Sequence, residues 1–182
     1  MKNQLRQKYK LLRAELSEQQ IDDLSFEIYQ NLLHHFNLQN KNISIFLPIK
    51  KFKEVNTWHI INHIKANYYL PVVKGKELKH IKYEDKHQLK LSNWGIEEPT
   101  FGEEAQPDLF DVVIVPMLAY DKKGNRVGYG AGFYDGFLKE CKPNCLFIGV
   151  SFFSPEHDEI KTYETDIPLH FAVTPHHIYQ FK

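Results

Sequence analysis

Apolar residues recur at helical spacing in the opening third of the chain. Leu5, Tyr9, Leu12 and Leu16 share one face and predict a first helix. Ser17-Glu-Gln-Gln20 has the form of a capping box, so a second helix starts there with Ile21, Leu24, Ile28 and Leu32 inward. The period then shortens. Ile43 to Leu47 reads as a strand stopped by Pro48, and Thr57 caps a helix with Trp58, Ile61, Ile64 and Tyr68 inward. Tyr69 to Val73 and Leu78 to Tyr83 read as strands, and Pro71 puts the first of them at an irregular or edge position. The stretch from Glu84 to Gln106 is polar, with turns at Trp94-Gly95 and Glu98-Pro99. Asp111 to Pro116 holds a continuous apolar run, the pattern of a strand covered on both faces. Phe133 to Cys141 predicts a short helix, Leu146 to Phe152 a buried strand, and Phe171–Thr174 and Ile178–Phe181 two late strands. Strands alternating with helices predict an α/β fold. It is read as a single domain over residues 1–182, Rossmann-like, with a mostly parallel sheet and helices on both faces.

Composition narrows the class. The 182 residues are 42% hydrophobic and 25% charged, enough apolar matter for a core, which excludes a disordered chain. Lys+Arg 23 balances Asp+Glu 23, so nothing announces nucleic acid as a partner. No apolar run approaches the ~20 residues that cross a bilayer, so no membrane partner is expected. Cys141 and Cys145 are too few for a disulfide framework and read as reduced thiols of a cytoplasmic protein. The histidines do not argue for a metal: His34-His35 and His176-His177 are adjacent pairs, whose side chains diverge.

The chemistry concentrates at Gly124 to Asp135. Gly128, Gly130 and Gly132 alternate there, free to take positive φ and to approach a ligand closely. A helix starting near Phe133 would add its N-terminal amides, and the whole would cradle an anion. Arg126 supplies a planar fork for phosphate oxygens, and Asp135 a hard oxygen for magnesium. The segment is not a Walker A loop, and its G-x-G-x-G spacing is not the dinucleotide fingerprint G-x-G-x-x-G.

The run VPMLAYDKKGNRVGYGAGFYD, Val115 to Asp135, closely resembles the signature of the 5-formyltetrahydrofolate cyclo-ligase family. Lys2 to Arg6 is similar to that family's basic start. Phe46-Leu-Pro48 with Glu54 to Thr57 resembles its folate-contacting strand and loop, Trp94 to Pro99 its tryptophan turn, and Thr165 to Leu169 its late aspartate segment. The resemblance implies an enzyme that converts 5-formyltetrahydrofolate and ATP into 5,10-methenyltetrahydrofolate, ADP and phosphate, with Mg²⁺. It implies ATP contacts at Lys2, Asn3, Gln4, Leu5 and Arg6, and at Arg126, Val127, Gly128, Tyr129, Gly130, Ala131, Gly132, Phe133 and Tyr134. Folate contacts are implied at Leu47, Glu54 and Trp94 and at Tyr129 to Phe133, magnesium at Asp135 and Asp166, and catalytic roles at Arg126 and Tyr134. The loop Ile49 to Lys53 is longer and more basic than is usual, and Gly136 stands where an arginine or a small helix former is more familiar. A monomer is expected.

Other readings of the same residues exist. A basic face on an amphipathic helix is ordinarily a solvated face, and Glu54 is ordinarily a loop surface residue. A non-catalytic nucleotide- or phosphate-binding protein on the same fold would keep the glycine loop. An isomerase or acyl-transfer enzyme would need a nucleophile or acid–base pair beside the loop, and none stands there.

Overall fold

Ser17 and Gln20 cap each other: the Ser17 hydroxyl accepts from the Gln20 amide at 3.1 Å, and the Gln20 side chain accepts from the Ser17 amide at 2.8 Å. In the computed structural model, which describes residues 1–93 and 95–181, this box separates α1 (Lys2–Ala14) from α2 (Glu18–His35). The chain continues through β1 (Asn42–Ile45), α3 (Trp58–His63), β2 (Asn67–Lys74) and β3 (Glu77–Lys82). Three short strands follow: β4 (Leu89–Leu91), β5 (Glu97–Pro99) and β6 (Glu104–Ala105). Then come β7 (Val112–Pro116), β8 (Ala119–Tyr120), β9 (Arg126–Val127), α4 (Phe133–Glu140), β10 (Leu146–Val150), β11 (Phe171–Val173) and β12 (Ile178–Gln180).

Eight of these strands form one sheet in the order β12-β11-β10-β7-β1-β2-β3-β6. The pairings from β11 to β2 are parallel; β12 at one flank, and β3 and β6 at the other, pair antiparallel. The apolar run of β7 alternates between two cores, as period-two geometry requires. Val112 and Ile114 join Ile43 and Ile45 beneath Ile28 and Leu32 of α2 and Ile60 of α3. Val113 and Val115 face the other way, onto Phe137 and Leu138 of α4. Each such side chain, fully buried, contributes about 1.5–3 kcal/mol. Helices therefore cover both faces, as expected. A third, smaller core sets Tyr9 of α1 against Leu118, Val127 and Ile160.

Several local expectations give way to tertiary context. Tyr68 belongs to β2 rather than to a helix, although its hydroxyl still donates to the Ile60 and Ile64 carbonyls at 3.1 and 2.8 Å. Thr57 is the N-cap residue of α3 as expected, but its side chain makes no cap bond, because its hydroxyl donates to the Phe46 carbonyl at 2.6 Å. Leu16 lies beyond the end of α1 and packs with the core under α2. Pro71 sits in an interior strand, not an edge strand; the pairing of β1 with β2 ends at Tyr69, so no bond is asked of its missing N–H. The polar stretch 84–106 holds the β4–β5 hairpin and β6.

The topology places the site. From β1 the chain steps outward to β2, then returns to β7 on the opposite side of β1. The carboxyl ends of β1 and β7 thus flank a topological switch point, where open α/β sheets leave a crevice for ligands.

Candidate active site

A cleft of about 1400 Å³ opens at this switch point. A single drug-sized ligand needs roughly 300–1,000 Å³, so there is room for two substrates side by side. Phe46 and Leu47 after β1, Leu70 and Pro71 of β2, and Pro116 of β7 form its floor. Its walls are the face of α1 bearing Lys2, Arg6 and Lys10, the loop 128–132 leading into α4, and the segment Tyr163–Ile167.

The glycine loop is held from behind by a buried carboxylate. Asp121 accepts from the amides of Lys123, Asn125 and Ile160 at 2.9, 3.0 and 2.8 Å, which shapes the β8–β9 hairpin and delivers Arg126 to the cleft. Gly130 and Gly132 take φ of +106° and +73°; Gly128 does not enter the positive-φ region. Gly132 is the N-cap of α4 and offers no side-chain cap, so the first-turn amides stay available to an anion. Arg6 arches over this loop, with Nε donating to the Gly128 carbonyl at 2.8 Å and one terminal nitrogen donating to Asn3 Oδ1 at 2.5 Å.

Two ion pairs line the cleft. Arg126 donates to Asp135 Oδ1 at 2.7 Å and to the Ile167 carbonyl, while the Ile167 amide donates to the same Asp135 oxygen at 3.0 Å. Lys2 donates to Asp166 Oδ2 at 2.5 Å, and the Tyr163 amide to the same oxygen at 2.9 Å. Desolvation pushes the Asp166 carboxyl up, but these two donors and the Arg126 charge together hold it below its ordinary value. Each carboxylate thus spends one oxygen on the protein, and its other oxygen has no hydrogen-bond partner among the described residues. Both carboxylates line the cleft, and such hard oxygens are what a divalent cation takes as ligands, although no group of three or more His, Cys, Asp or Glu side chains clusters there among the described residues.

Elsewhere in the cleft lining, aromatic side chains surround a buried carboxylate. Glu54 is 5% exposed, not a surface residue, and accepts from the Tyr129 hydroxyl at 2.6 Å and the Ile49 amide at 2.8 Å. Burial pushes its carboxyl up, against those two bonds and the Arg13 charge. Burial also pushes the Tyr129 and Tyr134 phenols far up, so both are neutral donors at physiological pH. Phe52 stacks on Tyr129 with ring centroids 5.4 Å apart. The basic loop before Glu54 forms a 3-10 turn, Lys50–Phe52, that sends Lys53 back onto α1. There its ammonium caps the helix, donating to the Ala14 and Leu16 carbonyls at 2.7 and 2.5 Å.

Most of the expected site residues meet in this one cleft: Lys2, Arg6, Leu47, Glu54, the run from Arg126 to Asp135, and Asp166. Asn3 and Gln4 are exposed on α1, and Leu5 packs with the small core around Tyr9. Trp94 lies outside the described residues. Lys10, Phe52 and Tyr163 also line the cleft, outside the motifs that mark the site in the sequence. Lys10 had a signal, since Lys2, Arg6 and Lys10 recur every four residues and so share a helix face.

The comparisons with known proteins agree on one family. The family model described as the 5-formyltetrahydrofolate cyclo-ligase family matches residues 1–175. The chain belongs to that family. A curated 5-formyltetrahydrofolate cyclo-ligase from Haemophilus influenzae is 28% identical over 92% of this chain and 94% of its own length. The cyclo-ligase from Mus musculus is 27% identical over 96% and 83%. Among solved structures, 5,10-methenyltetrahydrofolate synthetase of Aquifex aeolicus superposes with a TM-score of 0.83 at 30% identity, covering 100% of this chain and 93% of that one. The Mycoplasma pneumoniae synthetase shares the cyclo-ligase fold at TM-score 0.73 and 23% identity, over 96% and 98%.

Proposed function

We infer that the chain is an ATP-dependent 5-formyltetrahydrofolate cyclo-ligase, working as one domain. The observation that carries this reading is the joining, in one cleft, of a glycine loop that runs into an uncapped helix N-terminus and a group of aromatic rings around a buried carboxylate. A formamide carbon is a weak electrophile, and its oxygen cannot leave as oxide. The N5 lone pair pushes the formyl oxygen onto the γ-phosphorus of ATP; the P–O bond to ADP breaks as the new one forms. N10 then attacks the formyl carbon and loses its proton, and the C–O bond breaks to release phosphate. The product is the conjugated 5,10-methenyl cation.

In this reading the protein supplies position and charge. The loop amides from Gly128 to Phe133, with Lys2, Arg6 and Arg126, balance the negative charge of the triphosphate. The neutral Tyr134 phenol offers a proton donor to phosphoryl oxygens. Glu54 receives the pterin edge, whose adjacent N–H groups match a carboxylate, while Phe52 and Tyr129 with Leu47 give its ring apolar walls. Trp94 is assigned to the folate on the resemblance alone. Asp135 and Asp166 would hold Mg²⁺, which when bound neutralises phosphate charge. Lys2 and Arg126 keep those carboxylates in place. We further take the protein to be a cytoplasmic monomer.

Incubating the protein with 5-formyltetrahydrofolate and ATP tests this directly. Absorbance of the methenyl product should grow with one ADP released per turnover. Binding of ATP without product would instead make the chain a nucleotide-binding protein that retains the fold.

A further inference from the structure

Arg13 is absent from every motif so far considered, yet it is 3% exposed on α1. A buried guanidinium is costly unless its donors are used. Two of them are fixed: one terminal nitrogen donates to the Met117 carbonyl just beyond β7 at 2.5 Å, and the other to the Tyr129 hydroxyl at 3.1 Å. Its buried Nε has no partner among the described residues. Arginine can only donate, so the Tyr129 oxygen is an acceptor toward Arg13, and its single proton must point elsewhere. The acceptor on its other side is Glu54 Oε1, at 2.6 Å.

We propose that Arg13 is a positioning residue for the folate half of the cleft: anchored on Met117, it directs the Tyr129 proton onto Glu54 and so fixes the carboxylate that receives the pterin edge. The proposal rests on the cyclo-ligase reading of this cleft. The groups facing Glu54 are Tyr129 from the glycine loop, Tyr134 from α4, the Ile49 amide from its own loop and Arg13 from α1. Lys10 adds an ammonium 5.8 Å from the Tyr129 ring centroid. Burial drives the Glu54 carboxyl up, and the Arg13 charge is one of the influences that draw it down. Removing that charge therefore moves Glu54 protonation to higher pH.

The test compares Arg13→Met, Arg13→Gln and Arg13→Lys by Michaelis constants for each substrate, by the pH profile of kcat/KM for 5-formyltetrahydrofolate, and by thermal melts. The Met and Gln variants should raise the folate KM roughly tenfold, the loss of one charge-assisted hydrogen bond, with the ATP KM changed less than about twofold. Their acid limb should shift to higher pH, while Lys keeps the wild-type limb because it keeps the charge. Equal effects on both substrates, or a limb common to Gln and Lys, would overturn the proposal and leave Arg13 a structural residue. If the neutral variants do not fold, Arg13→Lys alone decides: a rise confined to the folate KM supports the assignment, and an equal rise for ATP refutes it. A wild-type protein that forms no methenyl product fails the functional reading itself, which is a separate outcome.

Discussion

Gly130→Ala separates two roles that a glycine in a phosphate loop can have. Gly130 sits at φ +106°, and a Cβ built there would lie 3.2 Å from both Cζ and a terminal nitrogen of Arg6. The backbone strain, about 1–3 kcal/mol, is present with or without ligand, so it reduces stability rather than affinity. For a chain of this length, each kcal/mol lowers Tm by roughly 2–4 °C. The contact with Arg6 acts differently. The guanidinium is the end of a flexible side chain and can give way by a few tenths of an ångström. In doing so it strains the 2.8 Å bond to the Gly128 carbonyl that aims it at the cleft. Loss of a charged grip on phosphate is worth about 1.5–3 kcal/mol, which is roughly a 10- to 100-fold rise in the ATP KM. The assay is a double-mutant cycle of Gly130→Ala with Arg6→Ala, reading the ATP KM and the melt together. If the effect passes through Arg6, Gly130→Ala adds little to the ATP KM once Arg6 is gone, although Tm still falls. An undiminished rise in the Arg6→Ala background would refute this reasoning and show that the new methyl obstructs the nucleotide itself. Gly132→Ala is the comparison without Arg6: its Cβ meets no protein atom within 4 Å, so any rise in the ATP KM there beyond the effect of strain at φ +73° comes from the methyl meeting the nucleotide.

Arg126→Lys should cut turnover by about 10- to 100-fold, because one ammonium cannot span Asp135 and the Ile167 carbonyl and still present a fork to phosphate; steady-state kinetics at saturating ATP would show it. Asp135→Asn keeps an oxygen for Arg126 and the Ile167 amide but removes the charge, so turnover should fall at least tenfold and the magnesium titration should flatten. Glu156 accepts from Lys8 and Tyr9 of α1, each at 2.6 Å, and these bonds hold its carboxyl below the ordinary value despite partial burial. A lowered native value means stability that is full above the ordinary glutamate value of about 4.3 and is lost as pH falls through the native one. Glu156→Gln should therefore lower Tm by a few degrees at pH 7, for a contribution of ~1 kcal/mol, and lessen the difference from wild type in acid melts.

Local signals carried much of this fold. The Ser17–Gln20 box, the apolar run of β7 and the glycine loop running into α4 each announce themselves within a few residues. What stayed hidden depends on partners distant in sequence. Nothing around Glu54 says that it is buried, since its Tyr129 partner lies 75 positions away; the same holds for Arg13 and Tyr129, 116 apart. Tyr68 fits a helical period with Ile61 and Ile64, yet pairing with Ile43 of β1 and the bond from the Tyr83 amide to its carbonyl outweigh that spacing. β8 and β9 have two residues each, too short for any period to register. The basic loop reads as an anomaly until Lys53 is seen capping α1, which ties the folate-side loop to the helix bearing Lys2, Arg6 and Lys10.

The central claim is that the cleft brings the formyl oxygen onto the γ-phosphorus before the ring closes. Placing ¹⁸O in the 5-formyl group of the substrate and recovering the inorganic phosphate tests it most directly. The account predicts one labelled oxygen in phosphate per turnover, because the oxygen leaves attached to phosphorus. Label released into water, with unlabelled phosphate, would contradict it.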